Sequence, residues 1–456
     1  MQGLIFDVAP IAQRLGLRVF IVGGVVRDLI EGKPVAGEWD LVVMGGMGTG
    51  ARRLAERLSA AWKWKSPVSF PRFGTYLVSG PHGVVELAQS ELRIGSAIRS
   101  SDPIIQDAHS RDFTLNALYV ELDVEGAGAA DGFKVIDPTG LGIDDLNSGI
   151  LRTPGPPRAT LGDDPVRILR AARLCATHGY RTARPITRAA RGAAHLLRDV
   201  SVERVLAEMN KLLLGSRPSN GLVRLEKWGV FRVLMPEVQA MVGFMQRTPH
   251  HFPDLWRHTL RVVDRTSPDL ALRWAALLHD CGKPAVRTTD GSVDRYLGHE
   301  RAGSELAVQL VERLRMGKNL TREVAGLVGL HMVHYTDRWT DRAVRKFIVR
   351  SGGLLPKLLD LLEADSRSLR LRADKLHAVG KLRDRVRNMK AAMPSPESPL
   401  SGLQIMDILN IGPGPEVGMA KTALVNAVLN GDIPLEAGGA GKFLVSWWKG
   451  GGGKLS

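Results

Sequence analysis

The sequence predicts an α+β protein: a mixed strand-and-helix section to about residue 150, then a nearly all-helical section to about residue 390, then a small helical tail. Three observations carry this. Short apolar runs that stop at glycine turns, such as Arg18-Val19-Phe20-Ile21-Val22 before Gly23-Gly24, occur in the first section. Apolar residues recur at helical spacing from Asp163 onward, and Ala271 to Leu278 forms an apolar helix before His279-Asp280. Two proline-rich stretches, Pro154 to Pro157 and Met393 to Pro399, read as linkers. A chain of 456 residues is too long for one ordinary core. The expected segments are 1–150, 151–240, 241–393 and 394–456.

Composition narrows the class. The hydrophobic fraction of 44% is that of a globular protein, and no apolar run reaches the length of a membrane span. The start, Met1-Gln2-Gly3-Leu4-Ile5-Phe6-Asp7, lacks the basic n-region of a signal peptide. Two cysteines, Cys175 and Cys281, fit a reducing cytosol, with one disulfide as the alternative. A cytoplasmic protein without membrane partners is therefore expected. The net charge of +15 attracts polyanions, although an arginine-rich composition alone gives the same excess. Aromatic residues at 5% argue against a stacking platform for single strands.

The first candidate site begins at Gly23-Gly24, between a strand and a helix that carries Arg27 and Asp28. Glycines there let backbone N–H groups approach phosphate oxygens, but alone they are equally an ordinary turn. Glu38 and Asp40 precede the strand Leu41-Val42-Val43. Their i, i+2 spacing points both carboxylates one way on extended chain, an arrangement that holds Mg²⁺ or forms a solvated strand edge. Glu86 ends the strand-like run from Val84 and is a third ligand candidate. In Ser110-Arg111-Asp112-Phe113-Thr114-Leu115-Asn116-Ala117-Leu118, Asp112 and Asn116 share a face if the run is helical. Arg111 is placed to meet phosphate or ribose. The alternative is a helix start with Asp112 near its N-terminus.

Taken in order, Val22-Gly23-Gly24-Val25-Val26-Arg27-Asp28, the pair Glu38 and Asp40, Arg111 to Ala117, Asp137-Pro138-Thr139-Gly140, Asp144-Asp145-Leu146 and Asp163-Asp164-Pro165-Val166-Arg167 resemble the class II tRNA nucleotidyltransferase and bacterial poly(A) polymerase family over the whole chain. The resemblance implies a polymerase-β-like nucleotidyltransferase head (1–150), a helical neck (151–240), an HD-type body (241–393) and a tail (394–456). It implies transfer of CMP and AMP from CTP and ATP to the 3′ end of tRNA, with Glu38, Asp40 and Glu86 catalytic and Mg²⁺ held by Glu38 and Asp40. Gly23, Gly24, Arg27, Arg111, Asp112, Asn116, Asp164, Arg167, Arg170 and Arg173 would bind the nucleotide. Two positions depart from the family pattern: Glu38 stands where Asp is usual, and Ser110 where Arg is usual.

Asp164 and Arg167, three residues apart, read as one face of a helix that continues through Arg170 and Arg173. A carboxylate acceptor beside a guanidinium donor matches the amino and ring-nitrogen edges of cytosine and adenine and rejects uracil and guanine. Alone, such a pair is a surface ion pair; the resemblance makes it the nucleotide-selecting motif. His258, His279-Asp280, His299, His331 and Asp365 supply imidazole and carboxylate suited to a divalent metal. They resemble the HD phosphohydrolases, which implies His258, His279, Asp280 and Asp365 as ligands for Ni²⁺, Co²⁺ or Mn²⁺. His299 and His331 fit a second metal or a phosphate.

The basic run Arg367, Arg370, Arg372, Lys375, Lys381, Arg383, Arg385, Arg387 and Lys390 is expected to touch tRNA phosphates or to form a solvated helix. Gly412 to Gly418 precedes a tail helix, and Trp447 and Trp448 are expected to close the tail's core. The segment Leu87 to His109, short beside the family's pattern and containing Ser96, Ser100 and Ser101, is expected to govern addition of the terminal A. A CC-adding enzyme, a poly(A) polymerase and an HD phosphohydrolase with an RNA-binding head are the rival readings.

Overall fold

The computed structural model describes residues 2–34, 37–63, 66–70, 74–90, 102–123, 134–247, 254–291, 293–369, 373–392, 398–429, 431–434 and 437–452. Ser96, Ser100, Ser101, Arg370, Arg372 and most of the second proline-rich stretch lie outside them. The chain forms two compact units, Met1–Pro236 and Glu237–Ser456.

The first unit is built on a seven-stranded sheet. Its strands are β1 (Arg18–Val22), β2 (Glu38–Met44), β3 (Val68–Phe70), β4 (Thr75–Gly80), β5 (Gly83–Gln89), β6 (Tyr119–Glu121) and β7 (Val135–Ile136), in the order β3-β4-β5-β2-β1-β6-β7. Within this sheet β2 and β5 are the parallel pair among the described residues, with Glu38 opposite Val84 and Asp40 opposite Glu86. Glycine sets this register. Gly83 has φ +102°, and a Cβ there would stand 1.9 Å from the Gly37 carbonyl oxygen. That close approach lets the Val84 N–H donate to Gly37 O at 2.9 Å and starts the ladder. Phe20, Val22, Val42, Met44, Ile104, Ala108, Ala117 and Tyr119 pack in one core cluster of this unit.

Helices α1 (Gln2–Arg14), α2 (Gly24–Ile30), α3 (Gly50–Ala61), α4 (Pro103–Ser110) and α5 (Gly142–Asn147) belong to this part of the chain. The stretch expected to be a linker, Pro154 to Pro157, is a turn within the first unit: Thr153 is buried and its hydroxyl donates to Gly155 O at 2.7 Å. Then come α6 (Pro157–Asp163), α7 (Val166–His178), α8 (Arg184–Ala193), α9 (Val202–Leu213) and α10 (Pro218–Trp228). Helix α7 buries Val166, Ile168, Leu169, Ala172 and Cys175 at helical spacing.

In the second unit, helices Leu255–Arg265, Leu270–Leu278, His299–Arg313, Lys318–Leu330, Leu355–Ser368 and Ala373–Ala392 form the larger part. The tail helices Gly402–Leu409, Pro415–Leu429 and Ala437–Trp447 share a small core of Leu400, Ile405, Ala420, Leu424, Ala440 and Leu444, with Trp447 packed at its edge. No helix among the described residues is long and apolar enough to cross a membrane. Both cysteines are free and buried.

A polar cluster joins the end of α2 to the end of α7. The Tyr180 hydroxyl donates to Glu31 Oε1 at 2.6 Å. The Lys33 ammonium donates to Glu31 Oε2 at 2.7 Å and to His178 Nδ1 at 2.9 Å. Burial, helped by Arg27 and Lys33 and opposed by Asp28 and Glu31, pushes the His178 imidazole down to about 4. A histidine that titrates near 6.5 when unfolded and near 4 when folded contributes stability fully above pH 6.5 and loses it as pH falls toward 4. Burial pushes the Glu31 carboxyl up, but Lys33 and Tyr180 outweigh it and leave it lowered, so its contribution also fades in acid. The thermal midpoint should therefore fall between pH 6.5 and 4, and His178→Gln should flatten that slope in calorimetric scans. An unchanged slope in the variant places the acid sensitivity elsewhere.

Candidate active site

A cleft of about 570 Å³ in the first unit gathers Gly23, Gly24, Arg27, Glu38, Asp40, Glu86, Ser110, Arg111, Asp112, Asn116, Arg167, Arg170 and Arg173 in its wall. Twelve of the thirteen head and neck residues singled out from the sequence as catalytic or nucleotide-binding are in that wall. Ser110, the departing position, is there as well. Glu38 and Asp40 lie inside β2 rather than before it, two residues apart on one face. The parallel register adds Glu86 from β5 beside Asp40. Three carboxylates thus share a sheet face, and hard oxygen donors so grouped fit a divalent cation. At Gly23, φ is +75°, and a Cβ would stand 3.2 Å from Asp40 Oδ2 and 3.9 Å from an Arg111 nitrogen, so glycine keeps the turn close to the carboxylates.

The arginines of the cleft are held by a continuous polar chain. Arg27 donates to Asp28 at 2.7 and 2.9 Å and to Asn116 Oδ1 at 3.1 Å. Asn116 Nδ2 donates to Asp112 Oδ1 at 3.1 Å, and Asp112 Oδ2 accepts from Arg170 at 3.0 Å. Arg170 lies 3.5 Å and Arg173 2.7 Å from the Glu208 carboxylate on α9. Burial pushes the Asp112 carboxyl up, but Arg170 outweighs it and holds the group low. Arg111 is fixed separately. It lies 2.9 Å from buried Asp107 and 2.9 Å from the Tyr119 hydroxyl. Burial disfavours its charge, but Asp107 and Tyr119 more than compensate and raise its pKa.

Two local expectations are corrected. Asp112 and Asn116 are not on an α-helix: a 3₁₀ turn spans Thr114–Asn116 and Asp112 precedes it. The side chains meet all the same. Asp164 is not on the helix with Arg167 and is not in the cleft wall. It is extended, with φ −140° and ψ 94°, and α7 starts at Val166. The ring of Pro165 disfavours the helical conformation at the residue before it. Asp164 Oδ2 instead pairs with Arg204 at 2.7 Å. Arg167 reaches Ser110 O at 2.6 Å and Thr160 O at 3.1 Å.

The second unit brings together His258, His279, Asp280 and Asp365. His258 Nε2 is 3.0 Å from Asp365 Oδ1 and 3.3 Å from His279 Nε2, which is 3.2 Å from Asp280 Oδ2. His299 and His331 join them: their Nε2 atoms stand 3.4 and 3.6 Å from Asp280 Oδ1 and have no hydrogen-bond partner among the described residues. The Nδ1 atoms of His279, His299 and His331 lie 2.9, 2.7 and 2.6 Å from the carbonyls of Ala276, Tyr296 and Val328. An Nδ1–H given to a carbonyl leaves Nε2 as a lone-pair donor, which is how metal-binding imidazoles are oriented. The buried donors fit one or two divalent cations around Asp280. Burial pushes the Asp280 carboxyl up, but His279 and Lys283 hold it well below its usual range. The cluster borders a cleft of about 490 Å³ that Lys283 and Lys375 also line. A further group, Asp28, Glu31 and His178, is no such site, because the Lys33 ammonium already lies between its members.

Five described residues of the basic run carry acidic partners. Arg367 pairs with Glu363, Lys381 with Asp337, Arg383 with Asp360 and Glu363, Arg385 with Asp341, and Arg387 with Asp384. Sequence reading missed Asp107, Tyr119, Arg204, Glu208 and Lys211. The last three fall at i, i+4 and i+7 of α9, a spacing that marks one helical face but says nothing of what it faces.

Carboxylates clustered on a sheet face, beside a glycine turn and an arginine-lined cleft, define a nucleotidyl-transferring enzyme. The sequence matches the poly A polymerase head domain over residues 19–152, the probable RNA and SrmB-binding site of polymerase A over 181–241, and the HD domain over 255–378. It is 35% identical to the CC-adding tRNA nucleotidyltransferase of Thermus thermophilus, covering 76% of this chain and 78% of the relative. It is 30% identical to the A-adding tRNA nucleotidyltransferase of Deinococcus radiodurans, covering 91% and 93%. The Bacillus stearothermophilus CCA-adding enzyme, solved in complex with CTP, shares the fold with a TM-score of 0.67 at 22% identity, over 98% of each chain. The chain belongs to the bacterial tRNA nucleotidyltransferase and poly(A) polymerase family, in the branch that carries an HD domain.

Glu208 is 8% exposed and neutralises two arginines of the cleft. Breaking a fully buried pair costs about 3–5 kcal/mol; the arginines here are partly solvated, so Glu208→Gln should cost about 1–3 kcal/mol. A lower denaturation midpoint and a raised KM for the nucleotide are expected from denaturant melts and steady-state rates.

Proposed function

We propose that this chain completes the 3′ end of tRNA, adding CMP and AMP from CTP and ATP without a nucleic-acid template. The observation that carries the reading is the single cleft in which the carboxylates Glu38, Asp40 and Glu86 face the arginines Arg27, Arg111, Arg167, Arg170 and Arg173. A cationic wall suits a nucleoside triphosphate, and an acidic one suits the metal that accompanies it. Mg²⁺ held by Glu38 and Asp40 would supply Lewis-acid support for the attacking 3′-hydroxyl and the leaving pyrophosphate. The chain's own residues do the rest. Gly23 and Gly24 keep backbone close to the triphosphate, and Arg27 and Arg111 neutralise its oxygens. Asn116 and Asp112 hold Arg27 and Arg170 in place. Arg167 is read as the donor to the base and Asp164 as the acceptor from its amino group, which requires Arg167 to leave Ser110 O and Thr160 O and Asp164 to turn into the cleft. Residues 1–150 would carry the chemistry as head, 151–240 base selection as neck, 241–393 the HD body and 394–456 the tail, in the cytoplasm.

The two relatives add CC and A respectively, so a chain related to both is read as adding the whole CCA end. The CC-adding relative also favours a second reading, addition of CC alone. Purified protein, a tRNA lacking its CCA end, Mg²⁺ and both nucleotides should give a product ladder that ends after two cytidines and one adenosine. A halt after two cytidines despite ample ATP selects the second reading. Asp40→Ala should abolish extension and leave tRNA affinity largely intact in a binding assay; undiminished extension would remove the carboxylates from the mechanism.

The histidine cluster is read as a separate hydrolytic centre for phosphate esters, loaded with Ni²⁺, Co²⁺ or Mn²⁺. His279→Ala with Asp280→Ala should remove metal-stimulated phosphatase or cyclic phosphodiesterase activity and spare nucleotide addition. Loss of addition in a folded double variant, judged by circular dichroism, would tie the two sites together.

A further inference from the structure

Next to the cleft of the histidine cluster lies a second one in the same unit, of about 540 Å³. That is within the range of roughly 300–1,000 Å³ that holds small ligands. Met332, Val333 and His334 border both clefts. The helix Asp341–Ser351 brings two cations to the second one, Lys346 and Arg350. On this helix Arg342, Lys346 and Arg350 recur at i, i+4 and i+8, a row of like charges that disfavours the helix it stands on. Arg342 is relieved by Asp432, 2.6 Å away. Lys346 and Arg350 have no hydrogen bond or ion pair among the described residues. The cleft wall sets a single acid, Glu300, against them. An anion bound between Lys346 and Arg350 therefore removes a repulsion that the fold leaves standing.

The same cleft has an apolar side, made by Met332, Trp339 and Phe347. The Trp339 ring stands edge-to-face against Tyr335 and Phe347, with centroids 5.4 and 6.0 Å apart. Its backbone carbonyl accepts from Arg385 at 2.6 Å. An indole fixed in this way beside unpaired cations suits a ligand with a planar apolar part and a charged part. We propose that this cleft is a nucleotide subsite of the second unit: the phosphate meets Lys346 and Arg350, and the base lies against Trp339 and Met332. A nucleoside monophosphate has both parts, whether free or at the end of an RNA strand. Ribose 5-phosphate lacks the base, and adenosine lacks the charge. The subsite shares no residue with the transferase cleft and needs no cation at the histidine cluster.

The test is photolabelling of the full chain with 8-azidoadenosine 5′-monophosphate in EDTA, followed by peptide mapping. Label should appear on Trp339 or on the helix Asp341–Ser351. The Lys346→Ala, Arg350→Ala double variant should lose it at least about fivefold, the scale of one or two ionic contacts. Lys346→Arg should keep it. Both cations are exposed, so the folded state should persist, as judged by an unchanged circular dichroism melt. AMP should compete roughly tenfold better than adenosine or ribose 5-phosphate, the scale of one lost stacking or ionic contact. A short oligoadenylate that competes better than AMP assigns the subsite to RNA ends; one that competes no better assigns it to free nucleotides. Absence of label from Trp339 and the helix overturns the proposal, as does label that survives in the double variant. Adenosine competing as well as AMP removes the role of the cations. Ribose 5-phosphate competing as well as AMP reduces the cleft to a plain anion site and also overturns it.

Discussion

The chain of hydrogen bonds and ion pairs from Arg27 through Asn116, Asp112, Arg170 and Glu208 to Arg173 is the interaction on which the site depends. Guanidiniums crowded into one cleft repel one another, and the crowding matters more where water is partly excluded. Arg173 shows the strain: burial, with Arg170 and Arg27 adding to it, lowers its pKa in spite of Glu208. The alternation of acid and base along the chain lets the arginines stay charged and aimed while no triphosphate is present. It also crosses from α2 and the turn before β6 to α7 and α9, so the pieces that would hold phosphate and the pieces that would read the base are ordered by the same bonds.

The carboxylate face has a different origin. Asp40 and Glu86 are far apart in sequence and meet because β2 and β5 run parallel. That register starts where Gly83 permits the Gly37 carbonyl to approach closer than any side chain would allow. Backbone geometry at one glycine therefore sets the spacing of the acidic groups, independently of the polar chain. The two halves of the cleft are built by separate devices, and Gly23 lies beside both Asp40 and the separately anchored Arg111.

Much of this was legible in the sequence. The strand and helix around Gly23-Gly24, the acidic pair with its partner strand and the helix carrying Arg167, Arg170 and Arg173 all follow from local pattern. What was misread was local in another way. Asp164 was assigned to a helix by counting three residues to Arg167, although Pro165 disfavours that conformation at the position before it. The basic run was expected to touch tRNA phosphates or to form a solvated helix, and its acidic partners were not visible, because positive residues show in a sequence and their partners do not. Asp337, Asp341, Asp360 and Glu363 pair with Lys381, Arg383 and Arg385 from other helices and turns. Glu208 and Arg204 escaped notice for the same reason. Charges on a helix read as a solvated face until the facing helix is known, and only packing shows which are turned inward.

The histidine cluster and the head's carboxylates illustrate two ways to prepare a cation site. Imidazoles are neutral donors that can be buried with little electrostatic cost, so His258, His279, His299 and His331 sit at 5% exposure or less, with backbone carbonyls fixing three of the rings. Carboxylates cannot be buried in number without compensation, and β2 leaves Glu38 and Asp40 exposed at the cleft. The difference has a functional consequence. A substrate that must bring its own phosphates, and leave with the metal that neutralises them, needs an open acidic face. A site that keeps its cation between turnovers needs enclosed donors with few charged ones among them, the part Asp280 and Asp365 would play beside the four rings. The open acidic face and the enclosed rings therefore present their donors in opposite ways, one to solvent and one to the protein interior.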